Sequence, residues 1–133
     1  MVIDNKLFDE LSAQAKISPR LRYLFDLRST PEDTTQKMLN ALEPGTLVKI
    51  HRHPLCSSTI IVLRGSVKQN IYDNKGILIQ SKILKPNSFE LPIYEIPQNI
   101  WHNLECLEMN TIIFECKNGK YIPETDTVFF DKK

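Results

Sequence analysis

Two stretches of the chain decide its fold: Gly45-Thr-Leu-Val-Lys-Ile-His51-Arg-His53 and Pro97-Gln-Asn-Ile-Trp-His102. Side chains two positions apart in a strand point to the same side, so a strand here presents His51 and His53 to one point. His102, on a distant strand, would supply a third imidazole. Three protein ligands hold a catalytic metal while one position stays open for water or a ligand. The spacing therefore predicts one divalent metal bound by the three histidines.

A single H-x-H pattern is weak, because an isolated histidine is usually a surface residue or a satisfied core residue. Here the pattern is followed by Gly65, placed where a strand would end, and by the segment P-x-x-x-x-H that ends at His102. The combination favours metal binding over an incidental pair of histidines.

The composition is that of one globular domain. The chain has 133 residues, of which 41% are hydrophobic and 25% charged, and its net charge is +1. This charge gives no reason to expect nucleic acid or a membrane as partner. No apolar run reaches the roughly 18 residues that a membrane span needs. The start of the chain lacks the basic and apolar regions of a secretory signal, so we expect a cytoplasmic location. Three cysteines without C-x-x-C spacing are expected to be free thiols.

The first third of the chain predicts a short helix and an arm. Apolar residues at helical spacing predict an amphipathic helix over 4–16, with Asp4 or Asn5 as its cap. Residues 17–30 hold arginines among apolar residues and are predicted to form an ordered arm. Residues 30–33 predict a brief helical turn, and residues 36–42 are interpreted as a strand.

The rest of the chain is typical of a β-protein. Short apolar or β-branched runs alternate with turn signals, which predicts a sandwich or jelly roll. The runs lie at 46–51, 58–63, 66–72, 77–84, 89–95, 101–107 and 111–116.

With these motifs in place, the sequence resembles the cupin superfamily, and within it the WbuC-type cupin fold metalloproteins of bacterial surface-polysaccharide clusters. The resemblance implies an all-β fold, a cupin double-stranded β-helix (jelly roll) with a short N-terminal helix. It implies a single cupin domain over 1–133, with helix and arm at 1–35, barrel at 36–120 and tail at 121–133. It also implies one divalent metal, for which zinc, iron, nickel and manganese are the candidates. The strings that carry it are Ser18-Pro19-Arg20-Leu21-Arg22, Asn40-Ala41-Leu42-Glu43-Pro44-Gly45-Thr46, His51-Arg52-His53-Pro54, Val62-Leu63-Arg64-Gly65, Glu95-Ile96-Pro97, Trp101-His102 and Phe114-Glu115.

One position departs from the family pattern. The first cupin motif normally carries a glutamate ligand where this chain has Ser58. Three neutral imidazoles leave a divalent ion its full charge, so we expect a more electrophilic metal with a stronger attraction for anions. The alternative is a site that has lost its metal.

Three cationic residues are candidates for ligand binding. Strand parity places Lys49 on the side of His51 and His53, where it would anchor a carboxylate or phosphate; the alternative is a solvated edge lysine. Arg20 and Arg22 would add bidentate contacts if the arm crosses the barrel mouth, although arginines in an arm are more often surface charge.

Glu95 and Glu115 are candidate catalytic residues. Both lie in apolar strand-like settings, where burial would raise the pKa of a carboxyl group and suit it to proton transfer. The alternative is a structural salt bridge with Arg64 or Lys117.

The hypothesis that joins these residues is a metalloprotein acting on a small, anionic, sugar-like molecule, by isomerase or epimerase chemistry, in surface-polysaccharide metabolism. Two alternatives stay open: a non-catalytic module that binds a small ligand, and an oxygen-dependent enzyme with a three-histidine metal. A structural protein with a vestigial site is a third. We also expect a homodimer, because cupin barrels have exposed edge strands.

Overall fold

The computed structural model describes residues 1–87 and 92–131, which form one helix and ten strands. Helix α1 spans Asn5–Ile17. The strands are β1 Arg22–Asp26, β2 Thr35–Leu42, β3 His51–Arg52, β4 Ser58–Arg64, β5 Val67–Tyr72, β6 Leu78–Leu84, β7 Ile93–Ile96, β8 Trp101–Cys106, β9 Thr111–Asn118 and β10 Val128–Phe129.

The predicted N-terminal helix is present and capped as expected. The Asp4 carboxylate accepts a hydrogen bond of 3.0 Å from the Leu7 backbone N–H, which satisfies one of the free N–H groups of the first turn. The helix buries Leu11 and Ala15 against a cluster that includes Leu39 of β2 and Ile112 of β9. It therefore covers the outer face of the sheet that contains these strands.

The strands form two antiparallel sheets. One has the order β1-β2-β9-β4-β7 and the other the order β10-β3-β8-β5-β6. Apart from the consecutive pairs β1–β2 and β5–β6, neighbouring strands in each sheet are not consecutive in sequence, as in a jelly roll. Strand β3 pairs with β8 so that His51 lies directly opposite His102. This register brings the two histidine motifs together, and the predicted jelly-roll fold is confirmed.

The apolar core occupies one end of the space between the sheets. It joins both sheets, since its buried members are Leu42, Ile60, Val62, Val67, Leu84, Cys106 and Ile113. Towards the other end the buried side chains include polar ones. Ser58 of β4 lies beside Lys117 of β9, and both are buried. The barrel thus has an apolar interior at one end and a polar interior next to the histidines.

Gly65 of the sequence motif forms the turn between β4 and β5. Its backbone is left-handed, with φ of 80°, a conformation that glycine adopts without strain. A Cβ atom there would lie 2.2 Å from Thr111 Oγ1. The close approach of β9 therefore requires glycine at this position.

The structure differs from the sequence-based prediction in three segments. Residues 46–50 are not part of a strand, and β3 comprises only His51 and Arg52. The predicted arm contains β1, which pairs with β2, and the tail contains β10, which pairs with β3. Short strands at a sheet edge depend on the partner strand more than on their own composition.

Residues 30–33 form a turn closed by the hydrogen bond from Asp33 N–H to the Thr30 carbonyl, 3.1 Å long. The predicted strand over 89–95 falls partly on residues 88–91, outside the described residues, and β7 follows at Ile93–Ile96. Lys132 and Lys133 of the tail also lie outside them. No helix in the described part of the chain has the length and apolar character to span a bilayer.

Candidate metal centre and its cavity

Three imidazoles converge on one point inside the barrel. His51 and His53 come from β3 and the residue after it, and His102 comes from β8. One ligand atom of each side chain lies within 4.8 Å of the others. The ring centroids are 4.3 Å apart for His51 and His102, and 5.0 Å apart for His51 and His53. The structure thus brings together the three residues that the sequence singled out.

Each ring is oriented by a backbone carbonyl. The Nδ1 atom of His51 lies 2.7 Å from the Lys49 carbonyl oxygen, that of His102 2.8 Å from the Ile100 oxygen, and that of His53 2.9 Å from the Asp126 oxygen. A carbonyl oxygen only accepts hydrogen bonds, so each Nδ1 must carry the hydrogen. The lone pair then resides on Nε2 in all three rings, the tautomer that binds a metal through Nε2.

Burial keeps two of these rings neutral. Loss of solvation lowers the pKa of His51, and it lowers the pKa of His102 to about 3, with the neighbouring His51 as a further cause. Two uncharged imidazoles at neutral pH have lone pairs available for a cation. The donor set therefore fits zinc, iron, nickel or manganese, which all accept imidazole nitrogen.

A buried ion pair adjoins His53. The Asp126 carboxylate lies 3.5 Å from His53 Nδ1 and 3.3 Å from Lys117 Nζ. Burial opposes ionisation of Asp126, but the hydrogen bond from His53 and the charge of Lys117 outweigh it and hold the pKa of Asp126 well below its usual range. The pair was not predicted. Lys117 shares the strand parity of Glu115 on β9, which could have revealed it, whereas Asp126 lies in a loop of the tail.

A second group of metal-binding side chains comprises His53, Cys56 and Asp126, again with one ligand atom of each within 4.8 Å. Burial raises the pKa of the Cys56 thiol, which therefore stays protonated at neutral pH. Lys117 already neutralises Asp126. The three-histidine cluster is the better metal site for these reasons. All three cysteines are free, as predicted.

The histidines face a cavity of about 580 Å³. Glu115 and Lys117 of β9 also line it, as do Arg20, just before β1, and Arg22, the first residue of β1. Neither of these arginines forms a salt bridge with another described residue. The lining therefore holds two cations without a salt bridge, Arg20 and Arg22, and one carboxylate without a salt bridge, Glu115, whose partner is the Ser58 hydroxyl.

Ser58, where the sequence comparison with the cupin motif expects a glutamate, is buried. Its hydroxyl donates a hydrogen bond of 2.6 Å to Glu115 Oε2. Ser58 thereby holds a carboxylate that comes from the neighbouring strand. Glu115 lines the cavity but is not part of the three-histidine ligand group.

Two candidate residues lie away from the cavity. Lys49 is exposed, with its Nζ 6.0 Å from the centre of the Phe129 ring, and Val48 faces the cavity instead. The parity prediction failed because residues 46–50 do not follow a strand. Glu95 is exposed on β7, where its carboxylate accepts a hydrogen bond from the Thr59 hydroxyl. It lies on the outer side of the barrel, so the expected burial of Glu95 was wrong.

One family model matches the sequence. A family described as Domain of unknown function (DUF6016) matches residues 3–84. No curated protein matches the sequence.

Solved structures share the barrel at low identity. Oxalate decarboxylase from Bacillus subtilis has a TM-score of 0.63 at 17% identity, covering 82% of this chain and 27% of that one. A recombinant oxalate oxidase in complex with glycolate has a TM-score of 0.64 at 15% identity, covering 85% and 57%. KdgF from Halomonas sp. has a TM-score of 0.62 at 13% identity, covering 79% and 85%. This chain thus spans about a quarter of the decarboxylase, and the likeness shows a cupin fold.

Proposed function

The chain belongs to the family described as Domain of unknown function (DUF6016), and we propose that it is a metalloprotein of one cupin domain that binds a small anionic, sugar-like ligand beside a divalent metal. The observation that carries the proposal is the common orientation of His51, His53 and His102. Each donates from Nδ1 to a backbone carbonyl, so three Nε2 lone pairs converge inside one cavity.

The charges of the cavity support an anionic ligand. Three neutral imidazoles do not reduce the charge of a divalent ion, whereas a carboxylate ligand would. Among the lining residues without a salt bridge, Arg20 and Arg22 add two positive charges against the one carboxylate of Glu115. Guanidinium groups bind carboxylate and phosphate through two parallel hydrogen bonds. Two of the structural neighbours are named for oxalate, a small dianion. By analogy, their names also favour an anionic ligand.

Glu115 is the residue we propose for proton transfer. Its carboxylate lines the cavity while the Ser58 hydroxyl fixes Oε2 at 2.6 Å. A metal bound to the histidines would polarise a carbonyl or hydroxyl oxygen of the ligand and make an adjacent proton more acidic. Glu115 would then accept that proton; its return to the neighbouring carbon is the outcome of an isomerase, whereas delivery of a proton to the opposite face of the same carbon is the outcome of an epimerase. Glu95, on the outer side of the barrel, has no part in this proposal.

The sequence strings shared with the WbuC-type cupins support a place in surface-polysaccharide metabolism. We also propose a homodimer formed through β6, the edge of its sheet. All of β6 except Leu84 is exposed, including Leu78, Ile79 and Ile83. A second copy pairing along this edge would bury these apolar side chains and satisfy the free backbone groups.

Elemental analysis of protein purified without a metal-affinity tag tests the metal site. We expect about one divalent ion per chain, lost in His51→Gln and in His102→Gln. Cys56→Ser is the matched control, since it disrupts only the second ligand group and should keep the ion. Retention in both histidine variants would contradict the proposal. Turnover of nucleotide sugars and sugar acids then separates an enzyme from a binding module.

A further inference from the structure

Gln69 of β5 lines the cavity and has a buried side-chain oxygen. The residue is 1% exposed and lies among the cavity-lining side chains. Its Nε2 donates a hydrogen bond of 3.0 Å to the Asn103 backbone carbonyl. Because a carbonyl only accepts, this contact fixes the orientation of the amide and leaves Oε1 as the other atom. Oε1 has no hydrogen-bond partner among the described residues.

A buried acceptor without a partner is rare and destabilising. In the described part of the chain, the only comparable side-chain atom is Arg52 Nε. That guanidinium stacks over the Trp101 ring, 4.8 Å from its centre, and does not line the cavity. Gln69 Oε1 is therefore the buried side-chain acceptor without a partner, among the described residues, that belongs to a residue lining the cavity.

The strand register places Gln69 two residues along the sheet from the position opposite His102. Strand β5 pairs with β8 so that Ile71 lies opposite His102 and Gln69 lies opposite Leu104. Two residues along a strand correspond to about 7 Å. A molecule with one oxygen at the histidines and a hydroxyl group a few bonds away can span this distance.

Asn40 of β2 gives the cavity a second free polar group. It lines the same cavity, is half-buried, and forms no side-chain hydrogen bond to the other described residues. An amide both donates and accepts, whereas Gln69 Oε1 accepts only. A ligand that satisfies both groups must carry hydroxyl groups and not oxygen acceptors alone.

We infer that Gln69 is a specificity residue whose Oε1 accepts a hydrogen bond from a hydroxyl group of a polyhydroxylated acid bound in the cavity. This inference rests on the proposed function, because it adds the hydroxyl requirement to the anionic ligand. It distinguishes a hydroxylated acid such as gluconate from a carboxylate of equal chain length without hydroxyl groups.

Calorimetric titration of the zinc-loaded protein with gluconate and with hexanoate tests the inference. Both probes are six-carbon monoanions, so charge and chain length are matched. We expect the wild-type protein to prefer gluconate, and Gln69→Met to reduce that preference about tenfold while hexanoate affinity stays constant. Gln14→Met, on the exposed face of α1, is the control and should keep the wild-type preference. Wild-type protein that binds gluconate no better than hexanoate, or an unchanged preference in Gln69→Met, overturns the inference.

A second variant decides the matter if Gln69→Met does not fold, as judged by circular dichroism. Gln69→Glu keeps an acceptor oxygen at the same reach, and its charge affects both monoanions equally. We expect Gln69→Glu to keep the preference for gluconate over hexanoate. Loss of that preference in Gln69→Glu overturns the inference. Different experiments decide the two proposals. Zinc retained by the histidine variants refutes the metal site, whereas only the comparison of gluconate with hexanoate refutes the role of Gln69.

Discussion

The Ser58 hydroxyl donates a hydrogen bond of 2.6 Å to Glu115 Oε2, joining β4 to β9 inside the barrel. Ser58 stands where the cupin motif usually has a glutamate, and Glu115 is the carboxylate it holds. The site therefore keeps an acidic group beside the histidines, but on a different strand and outside the three-histidine ligand group. A glutamate at position 58 could both bind a metal and place a negative charge beside it. Glu115 places the charge near the histidines without belonging to the ligand group.

Replacing Ser58 with alanine should affect Glu115 and not metal content. Ser58 is 1% exposed, so the lost hydroxyl cannot easily be replaced by bulk water. We expect a loss of about 1.5–3 kcal/mol in the free energy of unfolding, typical of a hydrogen bond to a charged group. Urea denaturation measures the loss. A zinc content below that of the wild type would indicate that Ser58 supports the metal directly.

Metal should stabilise the folded protein through the three histidines. Ligand present at about 100 times its dissociation constant adds about 2.7 kcal/mol to the free energy of unfolding. Zinc-loaded protein should therefore melt at a higher temperature than chelator-treated protein. His102→Gln should show no such difference, and a zinc-dependent rise in that variant would place the metal elsewhere.

The Lys117–Asp126 pair should show strong energetic coupling. Both side chains are less than a tenth exposed, so removing one charge leaves the other buried without its partner. We expect Lys117→Met and Asp126→Asn each to cost about 3 kcal/mol in unfolding free energy. The double variant should cost less than the sum of the two, which a double-mutant cycle measures. Additive losses would show that the ion pair itself contributes little.

Arg22 and Lys49 should differ in their effect on ligand affinity. Arg22 lines the cavity, whereas Lys49 is exposed beside Phe129. We expect Arg22→Ala to weaken gluconate binding about tenfold, because a hydrogen bond to a charged group is lost. Lys49→Ala is the matched removal of a cation and should leave the affinity within about twofold. Equal losses in the two variants would mean that only long-range charge matters.

Self-association should depend on the exposed edge strand β6. Ile79 is 63% exposed there, and a lysine at an edge opposes pairing with a second strand. We expect light scattering to report a dimer for the wild type and a monomer for Ile79→Lys. Leu47→Lys adds the same charge at another exposed apolar residue and should remain dimeric. A wild-type monomer at micromolar concentration would refute the dimer.

The fold was largely predictable because its signals are local. Period-two alternation and turn residues marked most strands, and Asp4 marked the start of the helix. The prediction failed where a strand depends on its partner. Residues 46–50 have an apolar pattern without a ladder, while β1 and β10 form because they pair with β2 and β3.

The candidate site divides in the same way. The sequence by itself determined the three histidines, because ligand spacing along strands is fixed by backbone geometry. It also named Glu115, Arg20 and Arg22 as candidates, and the structure places all three in the cavity lining. Only the tertiary structure decided which charges share the cavity: it placed Lys49 and Glu95 outside, and brought Lys117 and Asp126 beside His53. Such contacts join side chains far apart in sequence, and their geometry arises only when the two sheets and the tail have packed together.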